Sequence, residues 1–320
     1  MRTLEEIKRT VETGLGRFPC DLKLANVQLV NVFSGEIYPT DIYIQNKRVV
    51  SIEPGLTLEA EKTVDCGGAY AVPGFIDSHM HFESTMLSPE ALATVVVPQG
   101  TTTLCADLME IANVAGEEGL RAMLTCMDRL PYGARYRPDR RADHQSRSDP
   151  HASGEAGGNP ARSVAGYFEA GRCGALRKDR RCGRGLSAGL YAEKGALAYS
   201  MSHDHHNIVT VGVSDSDMAV AVNEVARLHG GLAVVCDGNV MDSMCLPIGG
   251  LMSECGAAEV MRLLDGMNEA ARQLGCQMPA PFMTLSFVSL PTVPELGLTD
   301  MGLVDVLGHR LIDVETQDND

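Results

Sequence analysis

A short apolar segment that ends in two histidines constrains this chain most strongly. It runs from Pro73 to Met80, and His79 and His81 lie two residues apart at its end. If residues 71–80 form a buried β-strand, alternate side chains face the same side, so both imidazoles point together at its carboxyl end. There they could bind one metal ion, and parallel α/β barrels carry their chemistry at that end. The alternative is a pair of hydrogen-bonded histidines without a ligand role, because short motifs also match by chance.

The length and net charge of the chain limit its number of domains and its possible partners. The chain has 320 residues, of which 44% are hydrophobic, and this allows one large domain or a few smaller ones. Its formal net charge is -15. Nucleic acids and anionic membranes repel a negatively charged protein, so we expect neither as a partner.

The cysteines and the N-terminus indicate the compartment. The ten cysteines lie singly, without a Cys-x-x-Cys pair, which is typical of reduced thiols and not of a disulfide framework. Residues 1–18 predict an amphipathic helix and lack the apolar core of a signal peptide. No stretch approaches the roughly 20 apolar residues of a membrane span. We therefore expect a cytoplasmic protein.

Strand and helix patterns divide the chain into four segments. Residues 1–72 contain the first helix and then short alternating strands between turn residues, which predicts a small β-domain of antiparallel strands. Residues 73–130 alternate strand and helix twice, as in βα units of a parallel sheet, although two units cannot close a barrel. Residues 131–190 contain eleven arginines, no Ile and no Met, and their lack of an apolar period predicts an irregular segment. Ordered strand and helix patterns return in residues 191–320, where Asp237-Gly238-Asn239 predicts a hairpin turn.

Several blocks of this sequence resemble one family. Residues 73–81, Pro-Gly-Phe-Ile-Asp-Ser-His-Met-His, resemble the first barrel strand of the amidohydrolase superfamily. Residues 83–89, Glu-Ser-Thr-Met-Leu-Ser-Pro, and residues 106–114, Ala-Asp-Leu-Met-Glu-Ile-Ala-Asn-Val, are similar to the adenine deaminase branch. Residues 202–207, Ser-His-Asp-His-His-Asn, are similar to a motif of that family's C-terminal domain.

This resemblance implies an α/β fold with three kinds of domain. The expected architecture is a partial metal-dependent-hydrolase (TIM-like) barrel with a small N-terminal β-domain and a C-terminal α+β domain of the adenine deaminase type. The domains are then 1–72, 73–130 for the first βα units, the Arg-rich 131–190, and 191–320. The family carries most of its barrel where the Arg-rich segment stands, so we expect most of the barrel to be missing. That segment is then either an out-of-frame translation or a natural basic linker.

The resemblance also implies an activity and a cofactor. Adenine deaminases hydrolyse adenine to hypoxanthine and ammonia with water that a divalent metal activates, with manganese expected here and iron or zinc as alternatives. The family pattern assigns His79 and His81 as metal ligands. The remaining ligands fall on missing strands, and His144 and His151 lack a strand pattern and are not assigned. We therefore expect a purine partner, a homo-oligomer in the intact family, and little or no turnover from this chain.

Two further groups of side chains are candidates for the site. Glu83 and Glu110 follow the ends of consecutive strands and are candidate catalytic, proton-handling carboxylates, unless they are ordinary surface glutamates at helix starts. The family has Pro-His where this chain has Leu108 and Met109, so one polar group is absent. A second cluster has atoms suited to a second metal site, a purine pocket or a hydrogen-bonded turn. Its members are His203, Asp204, His205, His206 and Asn207.

Two other functions remain open at this point. A cyclic-amide hydrolase of the same superfamily would share the His-x-His strand but not the C-terminal blocks. A degenerate, non-catalytic fragment would still fold at its two ends and could pair with a full-length copy. The amount of metal bound per chain distinguishes these alternatives. A working hydrolase site needs stoichiometric metal, whereas a non-catalytic fragment does not.

Overall fold

The computed structural model of this protein describes residues 3–130, 133–136, 175–177, 193–203, 206–290, 292, 295–299 and 301–312. The chain divides into two compact units, Met1–Gly74 and Phe75–Asp320. Both helices and sheets are present, which agrees with the mixed α/β class that the sequence predicted. The finer domain boundaries at residues 130 and 190 stay predictions.

The N-terminal unit begins with the predicted amphipathic helix, α1 (Leu4–Gly14). Its start is a capping box: the Glu6 amide donates to the Thr3 hydroxyl at 3.2 Å, and the Glu6 carboxylate accepts from the Thr3 amide at 2.8 Å. These two bonds satisfy backbone groups that the first helical turn leaves without partners. The residues that predicted the helix therefore also fix where it begins.

A five-stranded sheet follows in the order β3-β2-β1-β4, and β5 also pairs with β1. The strands are β1 (Leu22–Asn31), β2 (Glu36–Gln45), β3 (Arg48–Ser51), β4 (Thr63–Asp65) and β5 (Tyr70–Ala71). The first three strands are antiparallel, as predicted. In contrast, β4 and β5 run parallel to β1.

Asp41 on β2 accepts a hydrogen bond from β1 at the place where the pairing of the two strands is irregular. Asn26 has a φ of 57° there, where the register of the strand pair shifts, and its amide donates to Asp41 Oδ1 at 2.9 Å. Lys23 Nζ lies 2.6 Å from Asp41 Oδ2. The hydrogen bond from Lys23, followed by that from Asn26, lowers the pKa of Asp41 below its ordinary value.

We expect Asp41→Asn to destabilise the N-terminal unit by about 1 kcal/mol at pH 7. Because the folded-state pKa is depressed, the contribution of the charge is present above the ordinary value of 3.8 and is lost as the pH falls through the folded-state pKa. Urea unfolding is measured at pH 7 and at several lower pH values. The difference in free energy of unfolding between the unmodified chain and Asp41→Asn should become smaller as the pH falls. The exposed Glu61→Gln is the matched control. A difference in free energy of unfolding that stays the same at all pH values would contradict the ion-pair interpretation.

The second unit opens with the predicted βα units. Its strands are β6 (Phe75–Met80), β7 (Thr101–Ala106) and β8 (Gly133–Tyr136), and its first helices are α2 (Pro89–Val96) and α3 (Met109–Asp128). The three strands form a parallel sheet in the order β6-β7-β8, in which Met80 pairs with Ala106. The alternation of strand and helix that the sequence predicts for residues 73–130 is confirmed.

The expectation that the first strand is buried is wrong. Residues 75–79 of β6 are exposed on both faces, and the side chains of Phe75 and Ile76 are 59% and 66% exposed. The physical reason is that β6 lies at the edge of a three-stranded sheet. In a closed barrel, both sides of such a strand would be covered.

A second, five-stranded sheet follows in the order β13-β12-β10-β11-β9. Its strands are β9 (Ala175–Arg177), β10 (Ala196–Tyr199), β11 (Val209–Gly212), β12 (Gly231–Cys236) and β13 (Asn239–Cys245). The helices α4 (Asp215–Arg227), α5 (Ala257–Gln273) and α6 (Pro281–Ser286) and a small sheet of β14 (Leu296–Thr299), β15 (Gly302–Asp305) and β16 (Arg310–Ile312) complete the unit. The predicted hairpin is confirmed: Asp237 and Gly238 join β12 to β13 with φ values of 52° and 76°, as a tight hairpin turn requires.

The segment 131–190 lies largely outside the described residues, and so do His144 and His151. Two short strands, β8 and β9, lie within this segment, and its irregular character stays a prediction. Each of these short strands adds to the edge of an existing sheet, β8 beside β7 and β9 beside β11. Backbone hydrogen bonds to a formed neighbour do not require the apolar period that the segment lacks.

One large hydrophobic cluster joins the βα units to the C-terminal region of the second unit. It contains Leu104 of β7, Ile111 of α3, and Leu197 and Tyr199 of β10, all buried. The Ser253 amide also donates to the carbonyl of Met86, which precedes α2, at 2.9 Å. This packing brings the carboxyl ends of β6 and β7 close to the loop between β10 and β11.

None of the helices in the described residues has both the length and the apolar character needed to cross a bilayer. The eight cysteines that the structure describes are all free thiols, in agreement with the expectation of reduced cysteines.

Candidate metal centre and active site

Three side chains with metal-ligand spacing meet at the ends of β6 and β7. His79 lies in β6, His81 directly follows Met80, and Asp107 directly follows Ala106. Their ligand atoms all lie within 4.8 Å of one another, and the two imidazole rings stand edge to face with centroids 5.1 Å apart. The Asp107 amide donates to the Met80 carbonyl at 2.9 Å, so the backbone pairing of the two parallel strands positions the carboxylate beside the imidazoles.

The donor set of this group fits a divalent metal ion. Two imidazoles and one carboxylate are the ligand types that manganese, iron and zinc accept. The Nδ1 atom of His81 is buried and has no hydrogen-bond partner, which is the state expected of an imidazole nitrogen that serves as a ligand. His79 is exposed, and His81 and Asp107 are half-buried, so the group is accessible to solvent.

Glu83 lies beside this group and is fully buried. It begins a short 3-10 turn, Glu83–Thr85, and its Oε1 accepts a hydrogen bond from the Ile111 amide in the first turn of α3 at 2.9 Å. Burial raises the pKa of the Glu83 carboxyl to about 7, and the negative charges of Glu110 and Asp107 add to that shift. Its second oxygen, Oε2, has no hydrogen-bond partner. One oxygen of the carboxyl group is therefore hydrogen-bonded, and the other is available to a ligand or a proton.

Glu110, in the first turn of α3, is buried with its charge paired. Its Oε1 accepts from the Ser84 hydroxyl at 3.1 Å and lies 3.1 Å from His203 Nδ1 and 3.9 Å from His206 Nε2. Burial alone would raise the pKa of Glu110, but the interactions with His203 and His206 outweigh it and hold the pKa at about 2. The carboxylate is therefore ionised in any ordinary buffer.

His203 and His206 come from the loop between β10 and β11. The His203 amide donates to the Ser286 carbonyl at 2.9 Å, and its ring stacks on Phe287 with centroids 4.3 Å apart. Nδ1 of His206 lies 3.3 Å from the Asn113 side-chain nitrogen. The structure therefore joins one of the two candidate glutamates, Glu110, to His203 across 93 residues of sequence.

The other three residues of that cluster are not among the described contacts of Glu110. Asp204 and His205 lie outside the described residues, and Asn207 is exposed, with its Oδ1 accepting from the Ile208 amide at 2.9 Å. Among the described residues, the group with metal-ligand spacing is the one at His79, and Glu110, His203 and His206 are not members of it. The pairing of His203 with Glu110 favours a hydrogen-bonded cluster over a second metal site.

Sequence reasoning did not assign Asp107 as a metal ligand. The sequence did contain a pattern that points to Asp107. It is the first residue after β7, the strand that pairs with the histidine-bearing strand β6, and the carboxyl ends of neighbouring parallel strands meet at one edge of a sheet. Leu108, which stands where the family has proline, is buried in the hydrophobic cluster.

Two family models match the chain. The amidohydrolase family matches residues 70–152, and the adenine deaminase C-terminal domain matches residues 173–310. An adenine deaminase of Dehalococcoides mccartyi is 48% identical over 134 residues, which are 42% of this chain and 24% of that relative. Over these stretches the chain is similar to adenine deaminases.

A longer alignment extends this similarity over nearly the whole chain. The adenine deaminase of Desulforamulus reducens is 27% identical over 577 aligned residues, covering 96% of this chain and 98% of that protein. Since this chain has 320 residues, the D. reducens protein contains a long stretch without a counterpart here. This agrees with the expectation of a missing region, whereas the D. mccartyi alignment spans about a quarter of that relative, at 24%.

Among solved structures, an L-hydantoinase (dihydropyrimidinase) from Arthrobacter aurescens is similar, with 23% sequence identity and a TM-score of 0.29. The similarity covers 37% of this chain and 27% of the hydantoinase, and it is too low to establish a shared fold. The amidohydrolase match, together with the parallel βα units, supports a barrel-type segment of the metal-dependent hydrolases. That family implies a divalent metal and a small-molecule substrate.

Proposed function

We propose that this chain carries the metal-binding and adenine-binding portion of an adenine deaminase site, and that alone it hydrolyses adenine slowly or not at all. The observation that carries the proposal is the meeting of His79, His81 and Asp107 at the ends of two parallel strands. The match to the adenine deaminase C-terminal domain supports the choice of substrate.

The three residues would hold one divalent ion, which we propose to be manganese, with iron or zinc as substitutes. Such an ion, when bound, supplies Lewis-acid activation of water. The half-buried positions of His81 and Asp107 keep some of the surrounding solvent away from that water. The edge position of β6 leaves His79 open, so the exclusion of solvent is incomplete.

Glu83 is proposed as the carboxylate that carries a proton, and Glu110, which stays ionised, as a hydrogen-bond acceptor of the same site. Each has one oxygen held by a hydrogen bond, Oε1 of Glu83 by the Ile111 amide and Oε1 of Glu110 by Ser84. Each also has a buried Oε2 atom without a partner. A proton on Glu83 Oε2 would therefore sit at a fixed position beside the metal group, where general acid–base catalysis needs it.

Low activity follows from an incomplete site. The described residues supply three ligands on two strands, whereas the superfamily, as the sequence resemblance implies, takes further ligands from later barrel strands. A group with an incomplete set of ligands binds metal weakly and orients water poorly. The location in the cytoplasm, which rests on the cysteine and N-terminal patterns, and the formation of homo-oligomers, which rests on the resemblance, remain proposals.

Ammonia release from adenine in the presence of Mn²⁺ tests this proposal. We expect the purified chain to turn over adenine far more slowly than about once per second, the lower end of ordinary enzyme rates. Asp107→Asn is the control for contaminating host enzyme, because any rate that the variant retains does not come from this site. Turnover of many adenine molecules per second that the variant abolishes would show that the site is complete and the proposed deficiency is wrong.

A further inference from the structure

One end of the N-terminal sheet carries an apolar face that is open to solvent. In the pairing of β1 with β2, Val30 lies opposite Ile37 and Gln28 lies opposite Pro39. In the pairing of β1 with β5, Gln28 also lies opposite Tyr70. Residues opposite each other, and residues two apart along a strand, point to the same face of a sheet. These five side chains therefore form one surface, which we call the outer face.

The two sides of these strands differ in burial. Val27, Leu29 and Ile42 point to the other side, where they are buried in one hydrophobic cluster. A sheet with one buried side usually carries polar side chains on its other side. On the outer face, Gln28 is instead the one residue that is neither aliphatic nor aromatic, while Ile37 is 58% exposed. Exposed apolar surfaces of this kind mark interaction sites.

The exposed apolar surface is large enough for a weak dimer. Val32 and Phe33, directly after β1, and Val72, directly after β5, are exposed as well. Together with Ile37 and Tyr70, these side chains expose roughly 600 Å² of apolar surface. Two copies would bury roughly 1,200 Å² in all, which is the lower end of the range for specific complexes.

We propose that the outer face binds the outer face of a second copy of this chain in a dimer with twofold symmetry. This inference goes beyond the proposed function, because it involves neither the metal group nor adenine. In a twofold dimer the same surface meets itself, and an apolar surface can do so without any arrangement of opposite charges.

The charge of the chain favours this face over the rest of the surface. Each copy has a formal net charge of -15, so two copies repel each other and associate most readily where their surfaces carry no charge. Asp41 is the next residue of β2 after Pro39 that points to the same side. It is paired with Lys23, whose Nζ lies 2.6 Å from its Oδ2, so it adds no unpaired charge.

Substitutions of opposite charge at Ile37 separate apolar contact from general repulsion. If the outer face is the interface, Ile37→Glu and Ile37→Lys both weaken association, because each places a charge at an apolar contact in both copies. If net charge alone controls association, lysine strengthens it and glutamate weakens it. Tyr70→Ser removes apolar surface without adding a charge. Val240→Glu on β13 is the matched control, since Val240 is also an exposed, β-branched strand residue.

The experiment is sedimentation velocity of the full chain at about 1–100 μM in about 0.15 M salt, with circular dichroism as a check of folding. We expect a monomer–dimer equilibrium with a dissociation constant in the micromolar range. Ile37→Glu, Ile37→Lys and Tyr70→Ser should each raise that constant at least about tenfold, whereas Val240→Glu should change it less than about twofold.

Three results would overturn this inference. The first is an unmodified chain that stays monomeric over the whole concentration range. The second is a dimer whose dissociation constant is the same in the folded Ile37 and Tyr70 variants, because another surface would then hold it together. The third is a pair of opposite shifts in Ile37→Glu and Ile37→Lys. None of these results bears on the metal group, so the proposed function is tested separately.

Discussion

Replacing Asp107 with asparagine is expected to lower the affinity of this chain for Mn²⁺ roughly 10- to 100-fold. Asp107 supplies the only negative charge in the group that it forms with His79 and His81. Manganese favours anionic oxygen ligands, and a neutral amide oxygen is a much poorer one. Titration of the free Mn²⁺ signal by electron paramagnetic resonance gives the dissociation constants directly.

Asp128→Asn is the matched control for this variant. Asp128 is the last residue of α3 and is exposed, so the same change of charge there should leave the dissociation constant unchanged. Equal losses in the two variants would mean that general surface charge, and not the strand-end group, attracts the ion. Unchanged affinity in Asp107→Asn would remove Asp107 from the site.

Replacing Glu110 with alanine is expected to lower the free energy of unfolding of the second unit by about 3–5 kcal/mol. The change leaves the Ser84 hydroxyl and His203 Nδ1, both within 3.1 Å of Glu110 Oε1, without their buried partner. It also removes one of the contacts between α3 and the loop that follows β10. Urea unfolding at neutral pH, followed by circular dichroism, measures the loss.

Glu117→Ala on the same helix is the comparison. Glu117 is 74% exposed and pairs with Arg121 one turn further along, so its removal should cost less than about 1 kcal/mol. If the two variants unfold at the same urea concentration, the buried cluster does not join the two regions of the unit, and the assignment of Glu110 to it has to be abandoned.

The local features of this protein were predictable from its sequence. The strand β7, the helices α2 and α3, and the turn at Asp237 and Gly238 follow from apolar periods and from the residues that tight turns require. The placement of His79 and His81 on one side followed from the two-residue period of a strand. These features depend on neighbours in sequence, and such patterns can be read directly.

Features that depend on distant segments of the chain were not predictable in this way. The contact between Glu110 and His203 spans 93 residues, and neither residue type specifies the other. The apolar run of β6 predicted burial because such runs are usually covered on both sides, yet the strand lies at a sheet edge. The parallel pairing of β4 and β5 with β1 likewise results from the course of the chain and not from a local pattern.

The most direct test of the central claim is anomalous diffraction at the manganese absorption edge from crystals of the chain grown with Mn²⁺. We expect one peak within coordination distance, about 2.0–2.3 Å, of ligand atoms from His79, His81 and Asp107. A manganese peak between Glu110 and His203, or crystals with no peak beside the two strand ends, would contradict it.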